Sequence, residues 1–326
     1  MYVEDLGPEW HKLGRLGGGA HGSVFLYRYN PTNLQYAVKF IERGDTITEQ
    51  TVREVANHSQ LIHPNIIRFK EVILTHSKLA VVMEHCAGGD VFSYVQQSAG
   101  RRLPENIARY FFQQLIGGLG YMHSIGLCHR DLKLENILLS GNPPKVKICD
   151  FGYSKSEQWD SAANSKVGTA AYVAPEVIIN PHKTSYDAKP VDVWSAGVIL
   201  HTLLAGMYPF CDPAHPNNEQ LIMRSLVDFA RGTQPYRPPP NISAECKQLL
   251  QEILCIDIHC RISIPHIVQS AWFQQNLPTG FHLGPQEGDP SIMFEQQDSE
   301  TASRIVEEAR KLPVMLGADR DCGMGG

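Results

Sequence analysis

The sequence predicts an α+β protein of two lobes, a small β-rich N-terminal lobe with one main helix and a larger, mainly α-helical C-terminal lobe. Three observations predict it. Residues 11–42 alternate in strand fashion, and strand-like runs follow at 66–72 and 78–83. One helical stripe (Val52, Val55, Leu61, Ile62) lies between them. After Gly88 and Gly89 the apolar pattern becomes helical. The corresponding division is 1–87, 88–275, and a tail 276–326 with a short helix around 299–312.

The first element carries a phosphate-binding signature. Gly17, Gly19, Gly22 and Val24 fit G-x-G-x-x-G-x-V. A dinucleotide-binding fingerprint would open a helix, whereas here Ser23 to Tyr29 reads as a strand. Strand, glycine turn, strand makes a hairpin whose backbone N–H groups can approach an anion without Cβ interference. The P-loop pattern G-x-x-x-x-G-K-[ST] is absent from the sequence.

Ala37, Val38 and Lys39 end an apolar strand. Thr46-Ile47-Thr48-Glu49 fits a capping box, opening a helix that carries Glu54 and runs to His63-Pro64. Lys39 and Glu54 are thus either a strand-to-helix pair beside a ligand or an exposed surface pair worth under about 1 kcal/mol. The apolar neighbours of Lys39 favour the former. Pro104 opens a long apolar helix through Met122, and 191–204 is another, nearly all apolar and buried.

The chemistry concentrates in His129-Arg130-Asp131-Leu132-Lys133-Leu134-Glu135-Asn136, followed by Asp150-Phe151-Gly152. An acid that can accept a proton, a lysine, an amide and a second acid in this order suit phosphoryl transfer from a magnesium nucleotide to a hydroxyl. Ala174-Pro175-Glu176 completes an ordered set. On these motifs the chain resembles the eukaryotic protein kinases over roughly residues 10–275.

The resemblance implies specific roles. ATP would lie under Gly17, Gly19, Gly22, Val24 and Ala37, with Lys39 on the α- and β-phosphates steadied by Glu54. Met83 would back the adenine pocket, Glu84 and Cys86 would offer backbone hydrogen bonds, and Asp90 would approach the ribose. Asp131 would be the base and Lys133 would touch the transferring phosphoryl group. Asn136 and Asp150 would hold Mg²⁺ through oxygen. Glu176 would pair with Arg261, and Asp192 would tie the catalytic-loop backbone. Lys133 and Thr169 resemble the serine/threonine class.

Glu135 is either a partner for a substrate arginine or a solvated carboxylate. Arg130, with Lys155, would take a loop phosphate. Ser165, 11 residues before Glu176, is the leading phosphosite and Ser161 the second. An upstream kinase or autophosphorylation would supply that phosphate.

Lys39 to Gly44, Arg53-Glu54 to Ile66, Arg68 to Thr75, Cys128 to Asn136 and Lys147 to Ser156 are similar to the plant and algal sucrose-non-fermenting-related kinases of the second subfamily. That family responds to osmotic stress and, in part, to abscisic acid. The similarity extends to Ser303–Leu312, where Ile305, Ala309 and Leu312 form a stripe that in the family packs on the small lobe and steadies the Glu54 helix. A frayed amphipathic tail is the other reading. The chain departs from the pattern at His21 (usually Phe), Ala170 (usually Pro) and Lys166 (often a phospho-acceptor). The only acidic residues after Leu312 are Asp319 and Asp321, so docking of a protein phosphatase through an acidic segment is in question. The alternatives are a pseudokinase scaffold, or another kinase of the calcium/calmodulin-dependent and AMP-activated group.

Composition narrows the classes further. The chain has 326 residues, 43% apolar and 19% charged, as in ordinary globular proteins. Residues 276–326 carry 9 acids and 4 bases, which accounts for the net charge of −5 and leaves a neutral body. No basic stripe points to nucleic acid, and no apolar run is long enough for a membrane. The eight cysteines form no C-x-x-C pair. Cys128 and Cys149 precede the two catalytic motifs and read as small buried hydrophobes, although Cys149 would border the nucleotide. Without signal or transit features, the expected location is cytoplasmic, nuclear or both.

Overall fold

The computed structural model describes residues 6–19, 22–152, 155–156, 170–179, 187–216, 218–284 and 294–311. The described parts of Met1–Ser59, Phe69–Glu84 and Glu295–Gly326 form one compact unit, and those of Gln60–Arg68 and His85–Phe294 form another.

The first unit is built on a five-stranded antiparallel sheet. Its strands are β1 (Trp10–Gly19), β2 (Gly22–Tyr29), β3 (Leu34–Glu42), β4 (Phe69–Leu74) and β5 (Lys78–Glu84), in the order β1-β2-β3-β5-β4. Helix α1 (Glu49–His58) follows β3. Its N-cap is Thr48, whose hydroxyl accepts from Thr51 N; the helix thus starts two residues after the expected Thr46, and Glu49 is its first residue rather than the reciprocal partner of a capping box. The helix also ends at His58, short of the expected His63-Pro64.

The tail helix α10 (Ser299–Ala309) packs on α1 and β4. Ala302, Val306 and Ala309 are fully buried with Ile47, Val55, Phe69, Val72, Leu79 and Val81, and Ile305 flanks them. Of the expected stripe, Ala309 is buried and Ile305 lies at its margin, while Ala302 and Val306 supply the rest of the buried face; Leu312 lies outside the described residues. Asp298 caps this helix by accepting from Thr301 N. Gln297 closes the free edge of β4: its N–H donates to Lys70 O (2.7 Å) and its side-chain oxygen accepts from Val72 N (3.0 Å). At the other end Gly44 N donates to Ala309 O (2.9 Å) and Arg310 pairs with Glu49 (2.7 Å). Ser59, the C-cap of α1, donates its hydroxyl to Ser299 Oγ (3.1 Å), so the helix that carries Glu54 is fastened to α10 at both ends.

The second unit is mainly helical: α2 (Val91–Gln97), α3 (Glu105–Ser124), α4 (Pro175–Ile179), α5 (Ala188–Ala205), α6 (Glu219–Ala230), α7 (Ala244–Ile253), α8 (Ile264–Gln269) and α9 (Ala271–Gln274). Two short antiparallel pairs accompany them, β6 (Leu127–Cys128) with β9 (Lys155–Ser156) and the hairpin of β7 (Ile137–Ser140) with β8 (Lys145–Ile148). Every residue of α5 from Val191 to Leu204 is buried, as its nearly all-apolar sequence predicts, the polar Asp192, Ser195, His201 and Thr202 included. Gly88 sits where a Cβ would lie 2.7 Å from Leu139 O, which explains the glycine at this point of the chain.

The compact units do not follow the linear division 1–87, 88–275 and 276–326. Residues 60–68 join the helical unit because Ile67 N donates to Ile148 O (2.9 Å) and Ile148 N to Asn65 O (2.8 Å). The tail from Glu295 joins the sheet unit because α10 completes that unit's core. Among the described residues, no helix is long and apolar enough to cross a membrane.

Candidate active site

The glycine hairpin is set by sheet register. Gly17 pairs with Val24, and Val24 pairs on its other side with Lys39. Leu26 faces Ala37, which in turn faces Met83. Gly22 has φ +121°, and a Cβ there would stand 2.2 Å from Phe40 O, so only glycine closes this hairpin on β3. Ladder pairing also fixes Tyr36 against Glu84.

Lys39 Nζ donates to Glu54 Oε1 at 2.6 Å, with the side chains only 14% and 19% exposed. A solvated surface pair is thus excluded. Strand β3 directs the ammonium toward α1, and 15 residues of chain bring Glu54 round to meet it.

The helical unit gathers a second group. Asp131 Oδ2 accepts from Lys133 Nζ (2.7 Å) and from Asn136 Nδ2 (3.1 Å), while Nδ2 also donates to Asp131 O (2.8 Å). Neither bond uses Asn136 Oδ1, the atom a hard cation would take. Burial favours the neutral amine of Lys133, but its bond to Asp131 and the charges of Asp131, Asp150 and Glu135 outweigh that and push its pKa up. Lys133 is therefore a fixed cation.

The β7–β8 hairpin pairs Ile137 with Ile148, and Cys149 N donates to Asn136 O (3.0 Å). This hairpin is what brings the segment of Asp150 beside Asn136. Asp150 is exposed and adopts φ +65°; its Oδ1 accepts from Gly152 N (3.4 Å). A carboxylate and a side-chain amide on adjoining backbone segments can offer the hard oxygens that Mg²⁺ requires.

Asp192 secures the loop from below. Its Oδ2 accepts from His129 N (2.8 Å) and lies 2.9 Å from His123 Nε2, and its Oδ1 accepts from Arg130 N (2.8 Å). Complete burial opposes the charge, yet the His123 bond, the nearby imidazoles and the Arg130 amide hold the carboxyl below the usual range. The carboxylate sustains Arg130 at φ +68°, a conformation that costs a non-glycine residue about 1–2 kcal/mol. His129 Nε2 meets Cys149 O at 3.0 Å and packs on Phe151. Arg261 grips Glu176 with two bonds, 2.6 and 2.8 Å, as expected.

The structure therefore brings the expected residues into two groups, one per unit: Lys39 with Glu54, and Asp131, Lys133 and Asn136 beside the Asp150 segment. Asp90, expected near a ribose, serves here as the N-cap of α2, accepting from Ser93 N (2.7 Å) and Ser93 Oγ (2.9 Å). Cys86 is buried and its carbonyl accepts from Gly89 N (3.4 Å). Lys155 pairs through its backbone with Cys128, but its side chain and Ser161, Ser165 and Thr169 lie outside the described residues. Two supports were missed from sequence. His123 reaches Asp192 across 69 residues, and Tyr172 Oη accepts from Leu134 N (3.4 Å). Through-space partners of this kind leave no local motif.

The protein kinase domain family matches residues 10–273. The chain is 46% identical over 315 residues to serine/threonine-protein kinase SAPK3 of Oryza sativa subsp. indica, covering 95% of this chain and 91% of that protein. It is 44% identical over 298 residues to serine/threonine-protein kinase SRK2E of Arabidopsis thaliana, covering 91% and 79%. It is 46% identical over 303 residues to serine/threonine-protein kinase SRK2A of Physcomitrium patens, covering 91% and 84%. With its motifs in order and relatives matched over nearly the whole chain, this protein belongs to the protein kinase family, in the sucrose-non-fermenting-related subfamily 2.

Proposed function

We propose that this chain is a serine/threonine protein kinase that transfers the ATP γ-phosphoryl group to protein hydroxyls, in osmotic-stress or abscisic-acid signalling as its relatives' subfamily suggests. The observation that carries the reading is the Asp131 carboxylate, bonded at once to Lys133 and Asn136. In this reading Asp131 orients the acceptor hydroxyl and takes its proton. Lys133, held protonated, faces the charge that spreads over the phosphoryl oxygens. Lys39, oriented by Glu54, anchors the phosphates. Asn136 Oδ1 and Asp150 would hold Mg²⁺, which when bound neutralises phosphate charge. A scaffold without activity would have no need of this preserved set.

Substrate choice follows from Glu135. Its carboxylate is exposed, and its charge is felt at Lys133, Tyr172 and Tyr208, so it is suited to a basic residue upstream of the acceptor. Activation by phosphate at Ser165, with Arg130 and Lys155 as its partners, belongs to the same proposal. A peptide array with radiolabelled ATP tests it. Serine and threonine acceptors should be labelled and tyrosine should not, upstream arginine should raise labelling, and Glu135→Gln should remove that gain. Tyrosine labelling, or indifference to arginine, would refute the respective part.

A further inference from the structure

We propose that His123, Cys128 and Asp192 form an inhibitory zinc site beneath the catalytic loop. His123 comes from the last turn of α3, Cys128 from β6 and Asp192 from the second turn of α5. One ligand atom from each lies within 4.8 Å of the other two. Cys128 and Asp192 are fully buried, and the His123 side chain is 9% exposed.

The donor chemistry selects the ion. Imidazole nitrogen, thiolate sulfur and carboxylate oxygen together suit zinc, a borderline-soft cation that takes tetrahedral mixed N, S and O ligands. Mg²⁺ wants oxygen alone, so the site stands apart from the Asn136–Asp150 pair.

The geometry needs little adjustment. His123 Nε2 and Asp192 Oδ2 are 2.9 Å apart. Two ligands at zinc bond lengths of about 2.0–2.1 Å sit about 3.3 Å apart in a tetrahedron, so this pair opens by only about 0.4 Å. The sulfur closes in to about 3.5 Å from each, given a zinc–sulfur bond of about 2.3 Å. Binding releases the Cys128 thiol proton to solvent, and His123 presents Nε2 with its proton carried on Nδ1. Thiolate and carboxylate then cancel the two charges of the ion, leaving a neutral buried complex. Solvent water fills the remaining position.

Inhibition follows from the other contacts of Asp192. The same Oδ2 accepts from His129 N at 2.8 Å, and Oδ1 accepts from Arg130 N. A metal that draws Oδ2 toward itself weakens the hold on His129 N and releases the backbone that positions Asp131. The loss is then not relieved by ATP.

The activity readout rests on the kinase reading, but binding and spectroscopy do not. Chelator-stripped full chain is titrated with zinc against a chromophoric zinc indicator, and separately with cobalt, whose thiolate complex absorbs in the near ultraviolet. The parent should bind one zinc at this site and show the thiolate band. Cys128→Ala should lose the band and weaken zinc binding by at least about tenfold. Peptide phosphorylation at saturating Mg-ATP should be inhibited by zinc in the parent and resist it in Cys128→Ala, whose zinc-free activity stays at the parent level. Equal zinc affinity and equal cobalt spectra in parent and Cys128→Ala would overturn the proposal. So would inhibition that is identical in both and relieved by excess Mg²⁺, which would locate zinc at the Mg²⁺ ligands.

Discussion

Replacing Asp192 by Asn tests how the catalytic loop is held. The carboxylate accepts two backbone N–H groups at 2.8 Å each, from His129 and Arg130, in a fully buried site. Charge-assisted bonds of this kind contribute about 1.5–3 kcal/mol each. The amide keeps one acceptor oxygen, and its NH₂ confronts the other N–H donor. One bond is lost, and the strain of Arg130 at φ +68°, about 1–2 kcal/mol, is no longer opposed. The net cost to the native loop is about 3 kcal/mol, or about 100-fold in its population. Steady-state kinetics should show kcat down about 100-fold, with KM for ATP little changed because no nucleotide contact is touched. Urea unfolding run in parallel separates loop loss from global loss. A variant that keeps kcat within about twofold of the parent would refute the reasoning.

Other expectations follow from the same physics. Burial lowers the pKa of His63 and of His201 to about 4. Both are neutral when folded, while the unfolded imidazoles protonate near pH 6.5, so this stability is whole above that pH and falls as pH drops toward 4, by about 3 kcal/mol per group. The urea midpoint should drop between pH 7 and 5 and drop less in His63→Gln/His201→Gln; identical slopes would contradict this. Val306→Asp puts a charge into a site that is 0% exposed and removes about 1.5–3 kcal/mol of apolar burial. Amide hydrogens of α10 should then lose exchange protection and activity should fall, whereas unchanged protection would argue against the tail helix as a fastening for α1. Ser165→Ala should lower activity far more than Ser156→Ala, and equal losses would remove Ser165 from the regulatory role.

Much of the fold was legible because its signals are local. Strand alternation, the glycine run and the apolar block at 191–204 each stand in one stretch of chain. The Lys39–Glu54 pair could be read because a strand followed by a helix returns the chain at that spacing. Legibility fails where geometry is decided through space. Thr46 and Thr48 offer the same hydroxyl, and only the actual helix start, with Thr51 N in reach, selects Thr48. In the tail, Ile305 with Ala309, and Ala302 with Val306 and Ala309, both satisfy helical periodicity, and the contour of α1 and β4 decides that Ala302 and Val306 are buried while Ile305 stays at the margin. Residues 60–68 read as part of the sheet lobe until Asn65 and Ile67 are seen bonded to Ile148. His123 and Asp192 meet only in the folded molecule, so neither half of that pair announces the other.

The assigned chemistry turns on Asp131 as the proton acceptor in transfer of the ATP γ-phosphoryl group. Its most direct test is transfer of labelled γ-phosphate to a serine peptide by the parent and by Asp131→Asn, with nucleotide affinity measured on both. Nucleotide binding should stay largely intact in the variant, with a rate lower by on the order of 10²–10⁴-fold. Transfer by Asp131→Asn at the parent's rate would contradict it.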